Sequence, residues 1–307
     1  MVYIDFIESK DELLIEKEKD YPKLIKKVLI NFRKIFSYIS VKKSEYGDFI
    51  KIQKLNSKTY KKLEKSIKIN NIQIACLSKK LNENEEFCEF LNNHNIKRIN
   101  GKWINGYLLL ELIGYISENK EERISEQEVS FLINKNNYLI NKNIYKIAKE
   151  CKNVNIITSK QSQFKSLENK IFEEEGISLN IGNNYKKSLL NSNIIINIDF
   201  TEEQINKYNI PKYSCIINIY DYIKINKKSF EGVNIFSIKY SINKQFNIDF
   251  KNFDNNIMYE SLISRNSNQE NVFNQIKKDN LKIVEVYGKN GIIRKKEFLK
   301  LKRININ

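Results

Sequence analysis

The chain has 307 residues, 41% of them apolar, with nine Gly and two Pro. This length suits two domains, or one large domain with an appendage. The apolar share excludes wholesale disorder, and the scarcity of Gly and Pro excludes collagen-like and linker-rich architectures. The formal net charge is +16, which invites a nucleic-acid reading.

Composition weighs against that reading. The chain carries 47 Lys, 51 Ile and 44 Asn against two Ala and six Arg. The abundant types have A/T-rich codons, so an A/T-biased genome raises Lys over Arg without selection. A surface selected for bidentate phosphate or guanine contacts would keep Arg. A solvated Lys-rich surface is therefore favoured, with only weak, salt-sensitive attraction for polyanions. No run of about 18 apolar residues suggests a membrane-spanning helix, and Met1 to Lys10 has no signal-peptide pattern. A cytoplasmic protein without a membrane partner is expected. Cys76, Cys88, Cys151 and Cys215 form no CxxC pair and His94 is the only His. No metal site is expected, and the cysteines read as reduced, mostly buried thiols.

In chain order, Leu24, Val28, Phe32, Ile35, Phe36 and Ile39 have helical spacing across 21–39, with Asp20 as a candidate N-cap and Pro22 in the first turn. Tyr46 to Leu55 reads as extended, 57–69 as a helix, 72–77 as a strand and 84–93 as a helix. Trp103, between Gly101 and Gly106, precedes a helix over 107–117 and reads as a core anchor. The polar run ENKEERISE (118–126) marks a break, giving an N-terminal α/β region over 1–118.

The next segment alternates strictly. Short apolar runs begin at Val129, Val154, Ile177, Ile194 and Cys215, and helical patterns separate them. Phe164, Leu167, Ile171 and Phe172 mark one helix, ended by Gly176; another is expected from Thr201 through Tyr208. Buried strands joined by amphipathic helices require a parallel sheet, and right-handed crossovers make it doubly wound. The expected fold is α/β, with a Rossmann-like doubly wound parallel sheet over 119–240. A small basic α+β region follows over 241–307. Beyond Tyr220 the alternation fades: 223–225 and 233–242 read as extended, and they are followed by helices over 256–264 and 269–278, a hairpin across Gly288-Lys289-Asn290-Gly291 and a helix near Lys295. Between Lys277 and Arg303 lie ten basic and three acidic residues.

The phrase VNIITSK (154–160) followed by SLLNSNIIINIDF (188–200) resembles the NAD(P)-binding domain of the shikimate dehydrogenase and glutamyl-tRNA reductase group. Residues 127–219 carry this resemblance. In that group the second strand ends in an Asn-Arg-Thr type turn, where Thr158, Ser159 and Lys160 stand here. The fourth strand reads like "aDIVINAT", where Asn193 to Asp199 stand. The resemblance implies NADP or NAD as cofactor, with Lys160 placed to read an adenosine 2′-phosphate and Asn197 and Asp199 at the ligand edge of the sheet.

The departure lies after the first strand. The group has G-x-G-x-x-G there, and its glycines let a pyrophosphate approach the helix N-terminus. This chain has Asn134, Lys135, Asn136 and Asn137, with no glycine. Asn tolerates positive φ, and Lys135 would offer a phosphate contact, but side chains obstruct the backbone. An ordinary βα turn is favoured there, and for Asp199 the favoured role is capping the helix near Thr201.

No catalytic set assembles. His94 reads as a solvated turn residue, and a Ser-His-Asp hydrolase lacks its base. No GxxxxGK[ST] is present. Ser78-Lys79-Lys80 lacks the Asn, Pro and spacing of the group's catalytic Lys, so that role is not transferred. The favoured function is a non-catalytic binding or regulatory module with a degenerate dinucleotide site and no cofactor. It would have a protein partner or a homodimer. The alternatives are an NAD(P)-dependent oxidoreductase with an atypical phosphate loop and a nucleic-acid-associated accessory protein.

Overall fold

The computed structural model describes residues 1–7, 13–14, 16–35, 38–44, 47–220, 222–242, 251–265 and 268–302. Phe36, Tyr46 and Arg303, used in the sequence reading, lie outside the described residues. The chain forms two compact units, Met1–Gly101 with Gln245–Ser267, and Lys102–Lys244 with Asn268–Asn307.

The first unit begins with β1 (Val2–Phe6), α1 (Lys23–Ile35), β2 (Ile39–Ser44) and β3 (Gly47–Ile52). It continues with α2 (Ser57–Ile69), β4 (Ile74–Leu77), α3 (Lys79–Asn82), α4 (Glu85–Asn93) and β5 (Lys97–Ile99). The sheet order is β2-β3-β1-β4-β5. Every pairing is parallel except that of β2 with β3. The period of two sends alternate side chains to opposite faces. Val2, Ile4, Ile50, Ile52, Ala75 and Leu77 pack on Leu63, Ile67, Phe87 and Leu91 of α2 and α4. Tyr3, Phe49 and Cys76 point the other way. Burying each large apolar side chain contributes about 1.5–3 kcal/mol. The abundant Asn caps the helices, accepting at α2 from Thr59 N–H to Asn56 (2.9 Å) and at α4 from Phe87 N–H to Asn84 (2.8 Å).

The second unit holds α5 (Leu109–Lys120), β6 (Glu128–Leu132), α6 (Tyr138–Glu150), β7 (Asn153–Ile157), α7 (Lys165–Glu175), β8 (Asn180–Gly182) and β9 (Ile194–Asn197). Then come α8 (Glu202–Ile205), β10 (Cys215–Asn218), β11 (Val233–Ile235) and β12 (Ser237–Ser241). The six-stranded sheet has the order β8-β7-β6-β9-β10-β11, and all five pairings are parallel. Numbered within the unit this is 3-2-1-4-5-6, the Rossmann order, whose direction switches between β6 and β9. The expected α/β doubly wound sheet is therefore present, with β11 as an added sixth strand.

The chain returns to the first unit with α9 (Asn255–Ile263), whose Ile257 and Met258 join Phe253 against Tyr3, Phe49 and Cys76. It ends in the second unit with α10 (Gln269–Asp279), β13 (Lys282–Gly288), β14 (Gly291–Ile292) and α11 (Lys295–Leu299). The expected hairpin forms as β13–β14, and β12 pairs antiparallel with β13.

Several local expectations are corrected. The third strand of the parallel sheet is Asn180–Gly182, not 177–181. The helix after Thr201 ends at Ile205 instead of Tyr208. The run 118–126 does not read as a linker in the fold. Lys120 is buried, its Nζ 2.5 Å from Glu122 and 3.0 Å from Gln127 Oε1. A buried ammonium requires such partners, which ties this run into the second unit, where α5 already buries Leu112, Ile113 and Ile116.

Candidate functional site

Open α/β sheets bind ligands outside the carboxyl ends of their strands, at the switch in strand order. In the second unit that point is the turn after β6 and the turn after β9. The structure brings most of the sequence candidates together here. The backbone N–H of Asn134 donates to Asp199 Oδ1 (2.7 Å), and that of Lys135 donates to Asp199 Oδ2 (2.8 Å). One carboxylate thus takes both donors at the start of the loop, with the short lengths of charge-assisted bonds.

The Asn134 side chain closes the other flank. Its Oδ1 accepts from Ser159 N–H (3.1 Å) and Ser159 Oγ (2.8 Å). Asn136 Nδ2 donates to Gln163 O (2.8 Å). Asn137 is the N-cap of α6, its Oδ1 accepting from Ile140 N–H (3.0 Å). Thr158 Oγ1 accepts from Lys160 N–H (3.0 Å), and the Lys160 side chain is exposed. No residue of this loop has positive φ. The non-glycine residues with positive φ among the described ones are Asn71, Asn95, Glu121 and Asn280. The turn therefore needs neither glycine nor left-handed Asn.

The favoured capping role of Asp199 is corrected by these distances. Thr201 is the N-cap of α8, with a reciprocal capping box: Thr201 Oγ1 accepts from Gln204 N–H (3.3 Å), and Gln204 Oε1 accepts from Thr201 N–H (2.9 Å). Asp199 is left to reach across the switch point. Asn197 is buried and forms a tight turn with Phe200, accepting from its N–H (3.0 Å) and donating to its C=O (3.1 Å). Its Nδ2 is also 3.5 Å from Asn218 Oδ1. Asn218 donates to Asn234 Oδ1 (2.6 Å), and Asn234 donates to Ile223 O (2.8 Å). Asparagines from β9, β10 and β11 thus form a ladder of amides, with Asn197 and Asn218 at the carboxyl ends of their strands. Sequence reading missed Asn218 and Asn234. A recurring Asn inside apolar runs (IIIN, CIIN, VNI) is the signal that could have found them.

Beside this point, a recess of ≈ 570 Å³ is lined by Asn136, Tyr138, Lys142, Tyr145 and Lys170, among others. Its charges are already matched. Lys142 and Tyr138 both meet the Glu270 carboxylate. These bonds, from Lys142 first and then Tyr138, hold the Glu270 carboxyl below its ordinary range.

The remaining candidate groups among the described residues are held in the fold. Burial pushes the thiols of Cys76, Cys151 and Cys215 up to about 12, which suppresses the nucleophilic thiolate. His94 is not solvated as expected: its Nδ1 lies 2.8 Å from Phe90 O, and the ring is partly buried at the end of α4. Trp103 packs edge-on to Tyr107 at 4.8 Å, in keeping with an anchor. Among the described residues no cluster of His, Cys, Asp and Glu could hold a metal. In the first unit, Asp5 is only 2% exposed at the end of β1. It accepts from Phe6 N–H (2.7 Å) and Asn252 Nδ2 (2.8 Å). Sequence reading did not single it out, although it is the charged residue of an otherwise apolar run, VYIDF.

The fold and this edge define a Rossmann-like α/β protein whose first loop is bonded to its own chain. No protein-family model matches the chain, and no curated protein sequence matches it. Solved structures that resemble it include L-tryptophan dehydrogenase from Nostoc punctiforme, at 9% identity over 90% of this chain and 77% of that one, TM-score 0.29. D-mandelate dehydrogenase from Rhodotorula graminis is 7% identical over 75% of this chain and 76% of that one, TM-score 0.33. A shikimate dehydrogenase in complex with NADP+ is 9% identical over 71% and 75%, TM-score 0.27. The α/β assignment rests on the strand order itself. Among the described residues no helix is long and apolar enough to cross a membrane.

Proposed function

We propose that the chain is a non-catalytic binding or regulatory module built on a Rossmann-like sheet whose dinucleotide site is degenerate. The observation that carries this reading is the Asp199 carboxylate on the N–H groups of Asn134 and Lys135. In a dinucleotide-binding sheet the pyrophosphate sits at the helix N-terminus that this turn leads into. Here a fixed negative charge stands in the turn, and a phosphate about 4 Å from it would meet a repulsion of about 4 kcal/mol at an effective dielectric of about 20. The Asn134–Ser159 bonds add side-chain bulk where bare backbone is needed. The residues present therefore do not fit NAD or NADP, and no redox step is assigned to the chain. A protein partner or a second copy remains the expected binding class.

Calorimetric titration of the full chain with NADPH and NADH tests this. The expected result is no dissociation constant tighter than about 1 mM, roughly −4 kcal/mol. A low micromolar constant, roughly −8 kcal/mol, would overturn the reading in favour of an NAD(P)-dependent oxidoreductase. In that case Lys160→Glu should weaken NADPH more than NADH.

A further inference from the structure

Helix α1 (KLIKKVLINFRKI) carries five basic residues and no acidic one. Its helical spacing predicts an apolar stripe, and such a stripe ordinarily meets a core. The structure turns it outward: Leu24 is 79% exposed, Val28 67% and Phe32 59%, and Ile25 and the preceding Tyr21 are exposed as well. At about 100° per residue, Leu24, Val28, Phe32 and Ile25 fall within about 100° of one another around the helix axis. Lys23, Lys27 and Lys34 flank one side of this stripe, and Lys26 and Arg33 the other. Arg33 is held by Glu18 (2.5 and 2.7 Å).

A/T-rich codons explain many Lys and Ile, but they do not gather apolar side chains on the solvent side of a helix. Contiguous exposed apolar surface marks an interaction site. Charge selects what covers it. Two copies of α1 face to face would oppose lysine edges with no carboxylate on either helix to offset them. An apolar stripe between basic edges fits a surface that is apolar within and anionic at its rim. We propose that α1 lies in the interface of an anionic lipid bilayer, burying Leu24, Ile25, Val28 and Phe32 among the acyl chains while its lysines reach the headgroups. The expectation of no membrane partner rested on the lack of a spanning segment, and an interfacial helix needs none.

Co-sedimentation of the full chain tests the proposal, with vesicles of phosphatidylglycerol and, separately, of phosphatidylcholine. The expected result is binding to phosphatidylglycerol at about 0.1 M salt, and at least about tenfold weaker binding to phosphatidylcholine, since lysines are attracted to an anionic surface and not to a zwitterionic one. L24S and V28S should each lower partitioning onto phosphatidylglycerol about tenfold, the loss of roughly half of a fully buried apolar side chain. K23Q with K27Q should remove most of the preference between the two lipids. Leu24, Val28, Lys23 and Lys27 are exposed, so the thermal transition of these variants should match the parent's. Equal partitioning onto both lipids would overturn the proposal. So would phosphatidylglycerol binding unchanged by L24S with V28S, which would assign it to the Lys-rich surface at large. A dimer in sedimentation equilibrium that L24S with V28S dissociates would make a second copy the occupant and overturn it equally.

Discussion

Replacing Asp199 by Ala removes the acceptor of two short bonds, from Asn134 N–H at 2.7 Å and Lys135 N–H at 2.8 Å. Hydrogen bonds to a charged group contribute about 1.5–3 kcal/mol each. Water can replace the acceptor at the exposed Lys135, so the pair together should be worth about 2–4 kcal/mol. For a unit of this size, about 2–4 °C per kcal/mol places the melting temperature of Asp199→Ala about 4–16 °C below the parent. Asp199→Asn keeps one acceptor oxygen and should fall about halfway. The same substitution frees two N–H groups that point to the ligand edge of the sheet. Inorganic pyrophosphate should therefore raise the melting temperature of Asp199→Ala and leave the parent unchanged. Scanning calorimetry with and without pyrophosphate reads both effects. If Asp199→Ala melts within about 1 °C of the parent, or pyrophosphate protects the parent equally, the carboxylate does not hold the loop and the reasoning fails.

Asn197→Ala strands the N–H and C=O of Phe200, a residue that is itself buried. It should destabilise the second unit by about 2–4 kcal/mol, read as a lower denaturant midpoint with an unchanged slope. The Glu270 carboxyl, held low first by Lys142 and then by Tyr138, should stabilise the fold at neutral pH. The sign follows from the lowered value. Its contribution is complete above the unfolded carboxylate pKa of about 4.3 and is lost as pH falls through the lower folded value. Denaturant midpoints of the parent and Lys142→Gln should therefore differ by a constant amount above about pH 5 and converge on further acidification, as pH falls through the lowered folded value. A gap that widens on acidification would refute the pairing.

The strands of the second unit were legible because each is a short apolar run between helical patterns, and chirality then allows few sheet orders. The sixth strand was not separable, because 233–242 reads as one extended stretch. The structure divides it at Phe236 into β11, which continues the parallel sheet, and β12, which pairs with β13. The role of Asp199 was misread although the local signal was present. Thr201 followed by Gln204 is a capping-box pattern, so the cap had an owner and Asp199 was free for another bond. Its partner, Asn134, lies 65 residues away, and no local pattern encodes that distance. The stripe on α1 has a further limit: periodicity tells which residues share a face, not whether that face meets a core or solvent.

The same bonds bear on why a Rossmann sheet could keep its shape without the glycine loop. Glycine is needed where backbone must approach a pyrophosphate closely, and the N–H groups there would otherwise look to ligand or water for an acceptor. A carboxylate supplied by the fourth strand's turn satisfies two of them within the chain, while Asn137 satisfies a third at the N-terminus of α6. No residue of this turn has positive φ, so Asn and Lys can stand where glycine would. The neighbouring amides extend this closure, since Asn197, Asn218 and Asn234 find their partners inside the sheet edge. A satisfied buried polar network is rigid, and breaking one member strands the others. A ligand that took these two donors would first have to replace the Asp199 bonds. On the proposed reading the carboxyl edge of this sheet serves as structure, which directs the search for what the protein binds to its other surfaces.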